Sequence, residues 1–313
     1  MSDHDAAPPP PGGLPAARLC LVATRPRFLA ASLLPVLVGI ALTIGDGAIA
    51  PDVLICCVLA VALVHSGANV LNDVWDDATG ADVGNDDRIS PYTGGSRVIQ
   101  DGRLSRDAMT RLGACLVATS ALPAIWLVHR VGLSVLALGA AGVVLAVVYS
   151  APPLRLCARG LGELVVAVAF GVLPVVGMAW VGWRPPDMAV LLAAAAVAAW
   201  VVAVLLANEI PDRRADAASG KHTLVVRLGV DGARALLVAV HLAALAAVAG
   251  MWWGGHLASL ALVGAAGVAS LGLVAAARVG SADRARLRSG IELNLKLHAA
   301  GCIGLAAGIA FHP

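Results

Sequence analysis

Residues 53–77 read VLICCVLAVALVHSGANVLNDVWDD. From Val53 to Asn72 no Asp, Glu, Lys or Arg occurs, and then Asp73, Asp76 and Asp77 follow within five residues. A stretch of about 20 mostly apolar residues is what a helix needs to cross the hydrocarbon core of a bilayer. At 100° per residue, Asn69, Asn72, Asp73 and Asp76 fall within about a third of the helix circumference. The segment therefore predicts a transmembrane helix that delivers one acidic, amide-bearing face to the membrane surface.

Segments of similar length and character recur along all 313 residues. They lie near 28–44, 53–72, 108–128, 131–149, 161–181, 188–208, 233–253, 257–277 and 291–311, which predicts about nine membrane helices and an all-α polytopic fold. The link at His129 and Arg130 is short enough to be either a turn or a bend in one long helix. Composition agrees: 59% of the chain is apolar and 13% is charged, against roughly 25% charged in soluble domains. That excludes a soluble enzyme, a disordered chain and a nucleic-acid binder, and makes the lipid bilayer the first partner. Residues 1–19, opening with acids and a proline run, read as a disordered tail, and 20–313 as one transmembrane domain. The six cysteines are scattered without metal-type spacing and read as small apolar residues.

Basic residues should collect on the cytoplasmic side. With the N-terminus inside, all Lys and Arg fall on that side except Arg130 and Arg184. This predicts an odd number of spans, with the N-terminus and the acidic loops in the cytoplasm; the expected location is a bacterial plasma membrane. Trp126, Trp183, Trp252 and Trp253 fall at the opposite ends, where an aromatic belt belongs.

Twelve of the 20 acidic residues crowd two loops on the predicted cytoplasmic side. The first cluster begins Asn69-Val-Leu-Asn72-Asp73-Val-Trp-Asp76-Asp77 and continues to Asp82 and Asp86. The second reads Asn208-Glu209-Ile-Pro-Asp212-Arg-Arg-Ala-Asp216, running on to Lys221. Each puts N-x-x-x-D at the end of an apolar span. Stacked carboxylates repel one another, but hard oxygen ligands at this spacing suit Mg²⁺, which is commonly shared with substrate phosphates. The metal candidates are Asp73, Asp76, Asp77, Asp82, Asp212 and Asp216, with Asp86 weaker. About four carboxylates, two Mg²⁺ and a diphosphate leave about three negative charges, for which Arg97, Lys221 and Arg227 are the candidate partners. Asn69, Asn72 and Asn208 are candidate substrate contacts beside them.

These two motifs, together with YSAPPLRLCARGLG at 149–162 followed by Glu163 and TGGSRVI at 93–99, resemble the UbiA superfamily of intramembrane prenyltransferases. Within it, TGGSRVI and the Gly80-x-Asp82 ending are most similar to the branch that prenylates 1,4-dihydroxy-2-naphthoate for menaquinone. The resemblance spans about residues 20–311. It implies a nine-helix bundle around a central cavity, and Mg²⁺-dependent prenyl transfer from a prenyl diphosphate to a small aromatic acceptor. It also implies catalytic roles for Asp76, Asp212 and Tyr149. The chain departs from the common pattern at Gly80, where many members carry a third Asp, and Asp82 or Asp77 could substitute.

Some residues admit two readings. His65 contacts the acceptor or packs as a structural histidine. His241 and His298 are intramembrane and hence candidates for function. Tyr149 stabilises an allylic cation through its ring or anchors the interface. Glu163 pairs with Arg155 or Arg159 or takes part in catalysis, and the glycines before Arg97 let backbone amides approach a phosphate. Rival activities are a membrane terpene cyclase, against which the 4% aromatic content argues, a transporter, and transfer to a secondary-metabolite acceptor.

Overall fold

The apolar segments form helices packed side by side. The structure, a computed structural model, describes residues 15–45 and 47–312, and no strand occurs among them. In chain order the helices are α1 (Ala16–Ala23), α2 (Ala30–Leu42), α3 (Pro51–Thr79), α4 (Arg106–Thr119), α5 (Ala121–Val131) and α6 (Ser134–Ser150). There follow α7 (Gly162–Val166), α8 (Leu173–Val181), α9 (Met188–Ala218), α10 (Leu224–Trp253), α11 (Ser259–Val279) and α12 (Arg284–Ala310). Each of the nine predicted segments falls on helix. By length and apolarity, however, seven helical stretches among the described residues can cross a membrane, or eight if α1 and the bent stretch Pro26–Leu42 count as one. The apolar α6, at 17 residues, is shorter than these seven stretches. The protein is an integral membrane protein of all-helical fold.

Several boundaries move for physical reasons. α3 and α9 continue past Asn72 and Asn208 as helix, because hydrogen bonding along the backbone does not stop where lipid does. α3 stops at Gly80, whose φ of +82° a side-chain-bearing residue rarely adopts. Ser120 interrupts the third span between α4 and α5, where Pro123 has no N–H to offer Thr119. Gly132 at φ +109° makes the His129–Arg130 link a turn between two helices. α1 begins at Ala16, inside the stretch expected to be tail, while residues 1–14 lie outside the described residues.

α9 is the central helix, with 72% of its apolar window buried inside the protein. Close packing here relies on small residues, as favoured between helices in lipid. Gly301 of α12 lies against the indole of the buried Trp200, so that a Cβ would come within 2.7 Å of the ring. Between α7 and α8 the backbone makes a π-helical segment, Ala167–Val172. Pro174 cannot donate to Phe170, and the extra residue per turn absorbs the missing bond. This segment carries Ala169 and Phe170 into the cavity described next.

Candidate active site

A cavity of about 350 Å³ runs inside the half of the bundle built from α2 to α9. One end is acidic and amide-rich: Asp76, Asp82, Asp212, Asp216, Asn69, Asn72, Asn85, Asn208, Glu209, Arg25 and Lys221 line it. The rest is apolar, reaching Cys57, Leu127, Val135 and Val181 near the far end of their helices. The chain has three Phe and two Tyr; Phe28, Phe170, Tyr92 and Tyr149 all line this cavity. The few aromatics outside tryptophan are thus concentrated here, so the low aromatic content of the chain does not argue against an aromatic-lined chamber.

Helix phase sorts the first motif. Asn69, Asn72 and Asp76 face the cavity. Asp77, 100° further round, faces α4, where Arg106 Nη2 lies 2.6 Å from Oδ2 and Gln100 donates to Oδ1 at 3.1 Å. Asp73 is buried and ion-paired with Arg25, and it also accepts from the Ser96 amide at 2.9 Å. Neither lines the cavity, so these two expected metal ligands are held by protein donors instead. Asp82 reaches it by another route. The turn at Gly80 reverses the chain, the Asp82 amide donates to Asp76 O at 3.3 Å, and its side chain lies buried at the cavity mouth.

The second motif faces it from α9. Asp212 accepts from Asn85 Nδ2 at 2.6 Å and from the Gly94 amide at 3.1 Å. Lys221, brought back over the mouth by the turn after Ala218, lies 3.1 Å from Asp76 Oδ2 and 3.5 Å from Asp216 Oδ1. Burial opposes its charge, but the carboxylates of Asp76 and Asp216 outweigh that and hold Lys221 well above the ordinary lysine range. Asp82 moves the other way for a carboxyl. Burial, then the neighbouring Asp76, push it up to about 6 despite Arg25 and Lys221.

Other expectations are redirected. The glycines of TGGSRVI do have positive φ, +74° at Gly94 and +72° at Gly95. Their turn aims the Gly94 and Ser96 amides at Asp212 and Asp73, so carboxylates occupy the place expected for a phosphate. Arg97 donates to the Asp82 carbonyl, and Arg227 donates to the carbonyls of Arg159 and His222. Both brace loops outside the cavity lining because backbone carbonyls capture their guanidinium groups. Glu163 accepts from the Leu224 amide at 2.8 Å rather than pairing with Arg155 or Arg159. His241 bonds Asn294 at 3.1 Å, bracing α10 against α12, and His298 is buried beside Cys302. His65 does line the cavity, with Nδ1 2.7 Å from Ser32 Oγ and its ring 4.5 Å from that of Phe170. Tyr149 lines it from the end of α6.

Sequence reasoning passed over Arg25, Asn85, Tyr92 and Glu209. Arg25 could have been found from its place on the acidic side just before the first span. Nothing in the spacing marked the loop residues Asn85 and Tyr92.

Among the described residues, no three His, Cys, Asp or Glu side chains converge into a ready-made metal cluster. Lys221 stands between Asp76 and Asp216, and loop donors hold Asp212. The donor set nevertheless suits a hard cation: Asp82 Oδ2 and Asn208 Oδ1 are buried at the mouth without a hydrogen-bond partner. Unpartnered buried oxygens are costly unless a ligand satisfies them.

A profile of the UbiA prenyltransferase family matches residues 32–294. The chain belongs to this family. Among relatives of this UbiA chain, the 1,4-dihydroxy-2-naphthoate octaprenyltransferase of Escherichia coli is 31% identical over 220 residues, covering 68% of this chain and 70% of that one. The enzyme of the same name from Mycobacterium tuberculosis is 34% identical, covering 66% and 68%. A UbiA homologue from Aeropyrum pernix has the same fold, with a TM-score of 0.64 over 90% of this chain and 96% of that one at 23% identity. Another, from Archaeoglobus fulgidus and bound to GPP and Mg²⁺, gives 0.62 over 92% and 99% at 15% identity. The UbiA chain described here is accordingly a prenyltransferase.

Proposed function

We propose that this prenyltransferase moves a prenyl group from a prenyl diphosphate to a dihydroxynaphthoate-type aromatic acceptor with the help of Mg²⁺, at the cytoplasmic face of a bacterial plasma membrane. One observation carries the reading: a single cavity joins an acidic, cation-hungry mouth to an apolar chamber faced by Phe28, Phe170, Tyr149 and His65. The relatives named as naphthoate octaprenyltransferases support the acceptor class. Sequence identity of about a third leaves a different aromatic acceptor as the test's other outcome.

Asp76, Asp82, Asp212 and Asp216, with the Asn208 amide oxygen, would hold the metal. Bound there, Mg²⁺ neutralises negative charge on the diphosphate as it leaves. Lys221 adds a fixed positive charge between two of these carboxylates, and Arg25 a second at the rim. Asn72 bonds Asp76 at 3.1 Å and Ser150 at 3.0 Å, tying the motif to the end of α6 beside Tyr149. The Tyr149 and Phe170 rings face the space where an allylic cation would form, and their π-faces favour positive charge. The apolar wall keeps water from quenching it. His65, fixed by Ser32, lines the chamber beside Phe170, where it would contact the acceptor. The C–O bond to diphosphate breaks and its electron pair leaves with the diphosphate; the acceptor ring attacks the allylic cation, and the ring regains aromaticity by losing the proton at the attacked carbon.

The experiment incubates membranes containing the protein with Mg²⁺, prenyl diphosphates and a panel of aromatic acceptors, beside a control without acceptor. Prenylated naphthoate product is expected. Terpene formed without acceptor would overturn the transfer reading.

A further inference from the structure

The acidic mouth accounts for one end of the cavity and leaves its long apolar arm unassigned. One wall of that arm is α6. Its lining residues, Val135, Leu138, Gly139, Gly142, Leu145 and Tyr149, repeat at helical spacing on one face, while Leu136, Val144 and Val147 on the other are exposed toward lipid. α6 is therefore a single-layer partition between cavity and membrane. At its centre stand two glycines. A Cβ built on Gly139 or Gly142 meets nothing within 4 Å, although both border the cavity. Across the seam Gly177 of α8 has only Leu138 near it, at 3.8 Å. Gly301 and Gly308, outside the cavity, lie where helices touch; Gly139 and Gly142 border the cavity and leave its lane open.

Resting on the prenyl-diphosphate reading above, we infer that the donor's tail runs from the acidic mouth along this face of α6, and that Gly142 and Gly139 set the tail length the enzyme accepts. The occupant follows from continuity and chemistry. The lane opens directly from the diphosphate end, carries no charged residue from Tyr149 to Val135, and spans about 21 Å at 1.5 Å per residue. A linear hydrocarbon attached to a diphosphate is the ligand that fits both ends. Gly142 lies seven residues from Tyr149 and Gly139 ten, about 10 Å and 15 Å along the lane. A bulky side chain should thus cut the lane at two different depths.

The test uses the full-length protein with Gly142→Leu and Gly139→Leu, beside Gly304→Leu on α12. Gly304 also has nothing within 4 Å but does not border the cavity. Leucine is a far better helix former than glycine, so the helices should persist, and thermal melting in detergent checks this. Each protein receives dimethylallyl, geranyl, geranylgeranyl and octaprenyl diphosphates in competition with one acceptor, and product lengths are read by mass spectrometry. Gly142→Leu should lose the long donors by at least about tenfold in kcat/KM while keeping the shortest. Gly139→Leu should cut off at a longer tail, and Gly304→Leu should match wild type. An unchanged length profile in both cavity variants would overturn the inference, and so would an equal loss at every length. If wild type transfers no donor at all, the transfer reading itself fails, which is a separate outcome.

Discussion

Asp82 should be a residue whose removal makes the protein more stable and less active. It is only 5% exposed, and burial with Asp76 beside it pushes its carboxyl from 3.8 up to about 6. The folded state thus holds the proton more tightly than the unfolded chain does. The resulting stability is present below the unfolded value and lost as pH rises through about 6. A shift of about two units corresponds to about 3 kcal/mol of burial cost above that pH. Asparagine has the same shape and no charge to bury. Metal-free Asp82→Asn should therefore melt roughly 5 °C above wild type near pH 8, and at about the same temperature near pH 4. Thermal unfolding in detergent with EDTA, followed across this range, reads the difference. Added Mg²⁺ should reverse the order, because ligand binding to the folded state stabilises by mass action and the variant has lost an oxygen ligand; kcat/KM should fall at least about tenfold. Equal stabilisation at both pH values, or none at the higher one, would refute the reasoning.

Lys221→Met strips Asp76 and Asp216 of their shared cation, so the metal-free protein should lose about 3 kcal/mol or more, partly restored by Mg²⁺ in the same melting assay. Asp76→Ala and Asp212→Ala should abolish turnover in membranes while the protein still elutes as a folded species on size exclusion. Asp77→Ala, which releases Arg106 and Gln100 outside the cavity, should stay within about threefold of wild-type turnover, its cost confined to roughly 1 kcal/mol of stability. Chelation with EDTA should remove activity, and Mg²⁺ should return it.

Much of this was legible in the chain because lipid leaves few options. A run such as Val53–Asn72 has to be helix in a bilayer, and a repeat of N-x-x-x-D at the ends of two such runs has to place acids at one surface. The sequence could not show which acids turn inward. Asp76 and Asp77 differ by one residue and face opposite partners, since 100° of rotation separates a cavity from α4. Arg97 and Arg227 looked like phosphate ligands because charge alone is visible in a sequence. Whether a backbone carbonyl captures that charge first depends on loop geometry. Asp82 was one of several candidates until the left-handed turn at Gly80 folded it back. The nine apolar segments are helical, but span length separates α6 from the others, and periodicity does not measure that.

Among the described residues, the cavity takes no lining side chain from α10, α11 or α12. Those three helices carry the His241–Asn294 brace and the Gly301–Trp200 contact, and they meet the substrates only through what they support, including the cavity-lining Tyr92 that donates to Glu292 at 3.0 Å. Natural variation should register this as two tempos. Changes that retune donor or acceptor would accumulate in α2 to α9, whereas the last third of the chain would drift under packing constraints alone. An enzyme with a new acceptor could thus arise by exchanging one half of the bundle against an unaltered frame.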